Sequence, residues 1–230
     1  MATKKFCVIG LGYFGSNLAR SLTKNGAEVL AIDKNIKRVE EVQDEVAVAV
    51  VLDSTDKDAL SSQGVQDFDA VIVAIGEGFE SSITTTSILQ ELGVKTIYNR
   101  MVSKLHARLL KLLGIENILL PEAEAADHLA RRLIMPGLID SFPLSNLHSI
   151  FIVNVPKKFI GKTLRDANLR IEYNLNVVTI KKLPPIYKQN PETIFNAETI
   201  GVPDPSYRFE ENDLLVLFGN DKDLRNFLYE

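Results

Sequence analysis

The sequence predicts an α/β fold: a doubly wound parallel sheet followed by a second, smaller α+β domain. Three observations predict it. An apolar strand, Phe6-Cys7-Val8-Ile9, runs into Gly10-Leu11-Gly12-Tyr13-Phe14-Gly15. A helical pattern then leads to a second apolar run, Glu28 to Ile32, ending on Asp33. After Pro136-Gly137 this strand–helix alternation stops, and a shorter, more polar arrangement takes over.

The first elements form a strand–GxGxxG–helix–strand–acid unit, which cradles a nucleotide or dinucleotide. Gly10 allows the tight turn, Gly12 lets backbone approach phosphate, and Gly15 lets the helix pack on the strand. The helix start, at Tyr13-Phe14, presents unpaired N–H groups and the positive dipole end to phosphates. Asp33 follows Gly15 by 18 residues, where its carboxylate can accept from ribose hydroxyls, with Lys34 beside it. An acid there disfavours a 2′-phosphate, so NAD, ADP or ATP is expected in preference to NADP.

The next elements repeat the grammar. Val46 to Leu52 and Ala70 to Ile75 are continuous apolar runs, as in parallel strands buried on both faces. Thr55 to Ser62 reads as a short helix closed by Gly64, and Glu80 to Leu92 as a helix closed by Gly93. Lys95 to Asn99 and Ile118 to Leu120 read as the fifth and sixth strands. The helix between them spans about Ser103 to Leu113, closed by Gly114. Pro121-Glu122 opens a helix running to about Met135. The nucleotide-binding domain is thus placed at 1–136, a linker at 137–145, and the second domain at 146–230. There, strands are expected over Ser149 to Val155, Asn176 to Lys181 and Leu214 to Phe218. Helices are expected over Thr163 to Asn168 and, capped by Asp221, over Asp221 to Tyr229. Pro184 to Asn196 is a polar excursion, with mobility expected over Pro184 to Glu198.

Composition bounds the function. A hydrophobic content of 46% fits a globular chain, and a net charge of −4 gives no basic field for nucleic acid. The lone cysteine, Cys7, lies in the first strand, so no intrachain disulfide is possible. The N-terminus leads directly into a fold strand, with no signal peptide. No apolar run approaches the ~20 residues needed to span a bilayer. A cytoplasmic protein is expected, meeting a membrane only through a partner.

Further candidates lie at strand ends facing the ligand crevice. Asp53-Ser54-Thr55 follows the third strand: Asp53 can accept from an adenine amino group, or Asp53 or Ser54 can cap the next helix. Ala74-Ile75-Gly76 ends the fourth strand, where small residues let a ribose or phosphate approach. Glu80 either complements a helix start or holds a divalent cation bridging phosphates. Arg100 either reaches phosphates or is a solvated loop residue. His106, His128 and His148 have no metal-ligand spacing. An NAD-dependent oxidoreductase is the alternative reading. It lacks a convincing acid/base, because the second domain holds one histidine, His148, at its start.

These residues carry a resemblance. The glycine motif, Asp33, Leu52-Asp53-Ser54-Thr55-Asp56, and Val71 to Gly76 followed by Glu80 and Ser82-Ile83 resemble the regulatory RCK (KTN) domains of Trk and Ktr potassium-uptake systems. Phe159 to Leu164, Leu175 to Ile180 and Phe209 to Gly219 resemble the RCK C-terminal domain. The match runs over nearly the whole chain in the right order. The resemblance implies a cytoplasmic gating subunit rather than an enzyme, peripheral on the membrane. It implies a homo-oligomeric ring, commonly an octamer, docked on an integral-membrane transporter. ATP, ADP or NAD(H) binding would bias the ring between two shapes. By the family pattern Gly10, Gly12 and Gly15 hold phosphate, Asp33 the ribose, and Asp53 with Ser54 the adenine end. Glu80 lies near the phosphates, with Mg2+ or another divalent cation, and Arg100 near the phosphate end. Tyr13 stands where many Ktr-type members carry a phosphate-contacting arginine, so ADP or NAD is expected to compete with ATP. Arg170 and Asn176, with Pro203, fall at the spacing those members use for cyclic di-AMP.

Overall fold

The computed structural model describes residues 2–183 and 196–229. The chain divides into two compact units, 1–122 and 123–230.

The first unit is a six-stranded parallel sheet flanked by helices. Its strands are β1 (Lys5–Ile9), β2 (Glu28–Asp33), β3 (Val48–Val51), β4 (Ala70–Val73), β5 (Ile97–Arg100) and β6 (Asn117–Leu119). Its helices are α1 (Tyr13–Lys24), α2 (Ile36–Glu40), α3 (Lys57–Ser61), α4 (Phe79–Glu91) and α5 (Lys104–Leu112). The strand order β3-β2-β1-β4-β5-β6 reverses direction at β1/β4. That switch opens a crevice at the strand C-termini.

Alternation within the strands feeds two cores. Cys7, Ile9, Leu30, Ile32, Val71 and Val73 pack together in one. Val8, Val29, Ala31, Ile72 and Ala74 pack in another. Adjacent residues thus enter different cores, which is why these strands read as unbroken apolar runs. Cys7 is fully buried, and burial pushes its thiol pKa far up. The run Val46 to Leu52 departs from expectation. Here β3 is the edge strand, and Val48 and Val51 are about half exposed. The short helix α2 was not expected. Asn35 caps it, accepting from the Lys37 N–H at 3.0 Å.

In the second unit a five-stranded antiparallel sheet has the order β10-β9-β11-β8-β7. Its strands are β7 (Leu138–Pro143), β8 (Ser149–Asn154), β9 (Asn176–Lys182), β10 (Glu198–Thr199) and β11 (Asp213–Gly219). The helix α6 (Pro121–Ile134) crosses the division, which falls after Glu122. This unit also holds α7 (Leu164–Ala167), α8 (Leu169–Tyr173) and α9 (Asp221–Tyr229). Phe159 stacks on Phe227 at 5.2 Å between centroids, with Tyr173 edge-on to both.

The expected linker over 137–145 is mostly strand. Leu138–Pro143 pairs with β8, and Leu138 and Ile139 are buried. Proline is tolerated here because β7 is an edge strand ending at Pro143. Asn220, not Asp221, caps α9, accepting from the Asp223 N–H at 2.8 Å. The excursion expected over Pro184 to Asn196 lies, but for Asn196, outside the described residues.

Candidate functional site

Geometry around the glycine turn follows from the absence of side chains. Gly10 adopts φ +94°, and its N–H donates to the Ile32 carbonyl at 2.8 Å. A Cβ there would sit 2.9 Å from the Ile75 nitrogen. A Cβ on Gly15 would lie 1.9 Å from the Gly10 carbonyl oxygen. These contacts clamp α1 against β1 and β4. Gly12 is different, since a Cβ there meets nothing within 4 Å. Gly12 caps α1 without any side-chain hydrogen bond. The first N–H groups of that helix therefore face open space, where an anion is favoured.

A cleft of about 370 Å³ opens at this point. Gly10, Gly12 and Tyr13 form one wall, and Asp33, Lys34, Asp53 and Ser54 another. Ala74, Ile75, Gly76 and Arg100 close the far side. Phe14, Gly15, Thr55 and Glu80 do not line it. Phe14 lies under the Arg100 guanidinium, 5.8 Å from Cζ to the ring centroid. Gly15 is buried beneath the turn, and Thr55 binds Asp53. Exposed Glu80 lies on the first turn of α4, while Glu77 and Ser81 face the cleft in its place. Arg38 also lines it and was not anticipated from sequence.

Asp33 is nearly buried, at 6% exposure. Its Oδ2 accepts the Leu11 N–H at 2.7 Å, and its Oδ1 the Asn35 N–H at 2.8 Å. Arg38 Nη1 approaches Oδ2 at 3.4 Å. Asp53 does not cap the next helix. Asp56 does, accepting from the Asp58 and Ala59 N–H groups at 3.0 Å each. Instead the Asp53 carboxylate accepts the Thr55 hydroxyl at 2.7 Å and the Thr55 N–H at 3.0 Å. Those two bonds, the hydroxyl foremost, hold its pKa below the usual carboxylate value, with Lys34 adding attraction against the opposing effect of burial. Ser54 is buried, its Oγ 2.8 Å from Thr85 Oγ1 on α4.

Arg100 is not a solvated loop residue. Its side chain is 19% exposed and pairs with Glu122. Its Nη1 lies where a Cβ on Gly76 would come within 2.6 Å, so Gly76 makes room for the guanidinium. Its Nε is buried without a hydrogen-bond partner. The Glu122 carboxyl is held below its usual pKa chiefly by its own backbone N–H; burial opposes this, and the Arg100 hydrogen bond and charge add lesser lowering effects. The site therefore has an anion-binding turn, an oriented cation and a carboxylate at the end of the next strand. That arrangement fits a nucleotide. For a divalent cation the fit is poor: among the described residues no three Asp, Glu, His or Cys side chains gather to hold one.

In the second unit, Arg170 on α8 and Asn176 at the start of β9 are exposed, whereas Pro203 is buried. No hydrogen bond joins the three. Among the described residues, no helix is long and apolar enough to cross a membrane.

Comparison with known proteins identifies the frame. Residues 6–121 match the TrkA-N domain family. Over 224 residues the chain is 34% identical to the Ktr system potassium uptake protein C of Bacillus subtilis, covering 97% of this chain and 96% of that protein. The chain belongs to the Ktr/TrkA family. A second Ktr relative, the Ktr system potassium uptake protein A of Vibrio alginolyticus, is 31% identical over 225 residues, covering 98% and 96%. Among solved structures, the GsuK RCK domain is similar with a TM-score of 0.63 at 18% identity, covering 100% of this chain and 48% of that one. The GsuK channel bound to NAD gives 0.61 at 18% identity, with coverage of 99% and 39%. The chain thus spans about half of the first and less of the second. Both likenesses show the Ktr/TrkA protein to have the RCK fold.

Proposed function

We propose that this Ktr/TrkA-family chain is a nucleotide-responsive, non-enzymatic regulatory subunit that gates a Trk/Ktr-type potassium-uptake transporter. The observation that carries the nucleotide half is the open space over Gly12 at an uncapped helix start, flanked by Asp33 and Arg100. Gly10, Gly12 and the α1 N–H groups hold the phosphates, Arg100 balances their charge, and Asp33 takes a ribose hydroxyl. Asp53 and Ser54 border the adenine. ADP, ATP and NAD(H) all fit this description. Tyr13 adds no charge at the phosphate end.

Copies of the chain assemble as a ring on the cytoplasmic face of an integral-membrane subunit. Ligand shifts the ring only through unequal affinity for its two shapes. The triphosphate and diphosphate differ in charge at the end where Arg100 and Glu122 stand, so that pair reads the difference. Cyclic di-AMP at Arg170 and Asn176 of the second unit, with Pro203 as a third contact, is a separate proposal.

The test is potassium uptake in cells lacking their own systems, with the chain co-expressed beside a Ktr-type membrane subunit. Wild-type chain is expected to raise or restrain the flux, and Gly12→Val to remove the effect of nucleotide. Uptake indifferent to the chain's presence would overturn the regulatory reading.

A further inference from the structure

We propose that the cleft accepts adenine nucleotides carrying a 2′-phosphate, and that Arg38 is the residue that reads it. The inference rests on the nucleotide reading above and names the ligand class more closely.

An acid at the end of β2 ordinarily repels a 2′-phosphate and accepts both ribose hydroxyls. Asp33 is not in that condition. A carboxylate has about four acceptor positions. Three are already used, by the Leu11 N–H, the Asn35 N–H and Arg38. One remains on Oδ1, enough for one hydroxyl but not for two.

The charge is offset as well. Arg38 stands 3.4 Å from Asp33, and Lys34 acts on Asp53. The two acids at this end of the cleft are thus matched by two cations, all four side chains lining it. Arg38 uses one N–H of its guanidinium on Asp33, with no other side-chain partner among the described residues. Its side chain is 45% exposed, so its remaining donors stay available. A guanidinium beside the ribose acid, with free donors, is the group that binds a 2′-phosphate in two-pronged fashion. The 3′-hydroxyl then takes the free position on Asp33.

The experiment measures binding of the full chain to two pairs of ligands by calorimetry. The pairs are NADP+ with NAD+, and adenosine 2′,5′-bisphosphate with AMP. Wild type is expected to bind each 2′-phosphorylated member at least as tightly as its partner. Arg38→Gln is expected to lower affinity for the 2′-phosphorylated members about tenfold more than for the others, the loss of a charge-assisted contact. Arg38→Lys, which keeps the charge, is expected to recover part of that preference. Binding of NAD+ and AMP with rejection of both 2′-phosphates would overturn this inference alone. So would an equal loss for both members of each pair in Arg38→Gln. Binding of none of the four would overturn the nucleotide reading with it.

Discussion

The Leu11 N–H donates to Asp33 Oδ2 at 2.7 Å, tying the glycine turn to the acid that ends the next strand. One carboxylate therefore both fixes the phosphate loop and faces the ribose. Its loss is expected to be felt twice. Asp33→Ala should abolish nucleotide binding. It should also lower stability by about 1–3 kcal/mol, because the Leu11 and Asn35 N–H groups lose their acceptor. Calorimetry and urea unfolding separate the two effects. Asp33→Ala with unchanged affinity would remove the ribose assignment.

Two glycines of the same motif should fail differently. Gly15→Ala places a Cβ 1.9 Å from the Gly10 carbonyl oxygen, so α1 must shift. A stability loss of about 1–3 kcal/mol is expected from such overpacking. Gly12 has φ −66°, which alanine adopts, and open space beyond it. Gly12→Ala should therefore fold with an unfolding midpoint near wild type and yet bind nucleotide more weakly, its methyl occupying phosphate space. Equal destabilisation of both variants would contradict this division of roles.

Beneath the cleft, Ser54 and Thr85 share a buried hydrogen bond that joins the loop after β3 to α4. Thr85→Val keeps the shape and removes the hydroxyl. It leaves Ser54 Oγ buried without that partner, at an expected cost of about 1–3 kcal/mol by urea unfolding. No measurable change would mean that the bond carries nothing.

His106 supplies a pH prediction. It is fully buried, its Nδ1 accepts the Val102 N–H at 3.2 Å, and its Nε2 is unpartnered. Burial depresses its pKa below the ordinary histidine value. The unfolded chain then takes up a proton near pH ~6.5, before the folded chain does. Stability contributed by the neutral ring is full above that pH. It is lost as pH falls from there through the folded pKa. An NMR titration should find the His106 ring still neutral at a pH where histidines of the unfolded chain are already charged. A His106 midpoint at or above the ordinary histidine value would contradict the burial argument.

Much of this was legible in the sequence, and the exceptions have physical causes. The glycine turn, its strands and Asp33 were readable because each depends on residues close in sequence. The helix ends at Gly64, Gly93 and Gly114 were readable too, since all three glycines adopt positive φ. Edge position was not readable, which is why β3 was expected to be buried and β7 was taken for linker. Pro136 and Pro143 look like breakers until β7 is known to lie at an edge. Arg38 was missed because a surface helix is full of cations. Its one signal is its position five residues after Asp33, which only the turn at Asn35 converts into contact. The choice between Glu80 and its neighbours Glu77 and Ser81 depended on the phase of α4, which differs when the helix begins at Phe79.

The measurement that tests the central claim most directly is a thermal-shift titration of the purified chain with ADP, ATP, NAD+ and NADH, with and without magnesium. A ligand that binds only the folded chain stabilises it by about 2.7 kcal/mol at a hundredfold excess over Kd. The account predicts stabilisation by adenine nucleotides, of different size for ADP and ATP, and none in Gly12→Val. No stabilisation by any of the four, or the same shift in Gly12→Val, would contradict it.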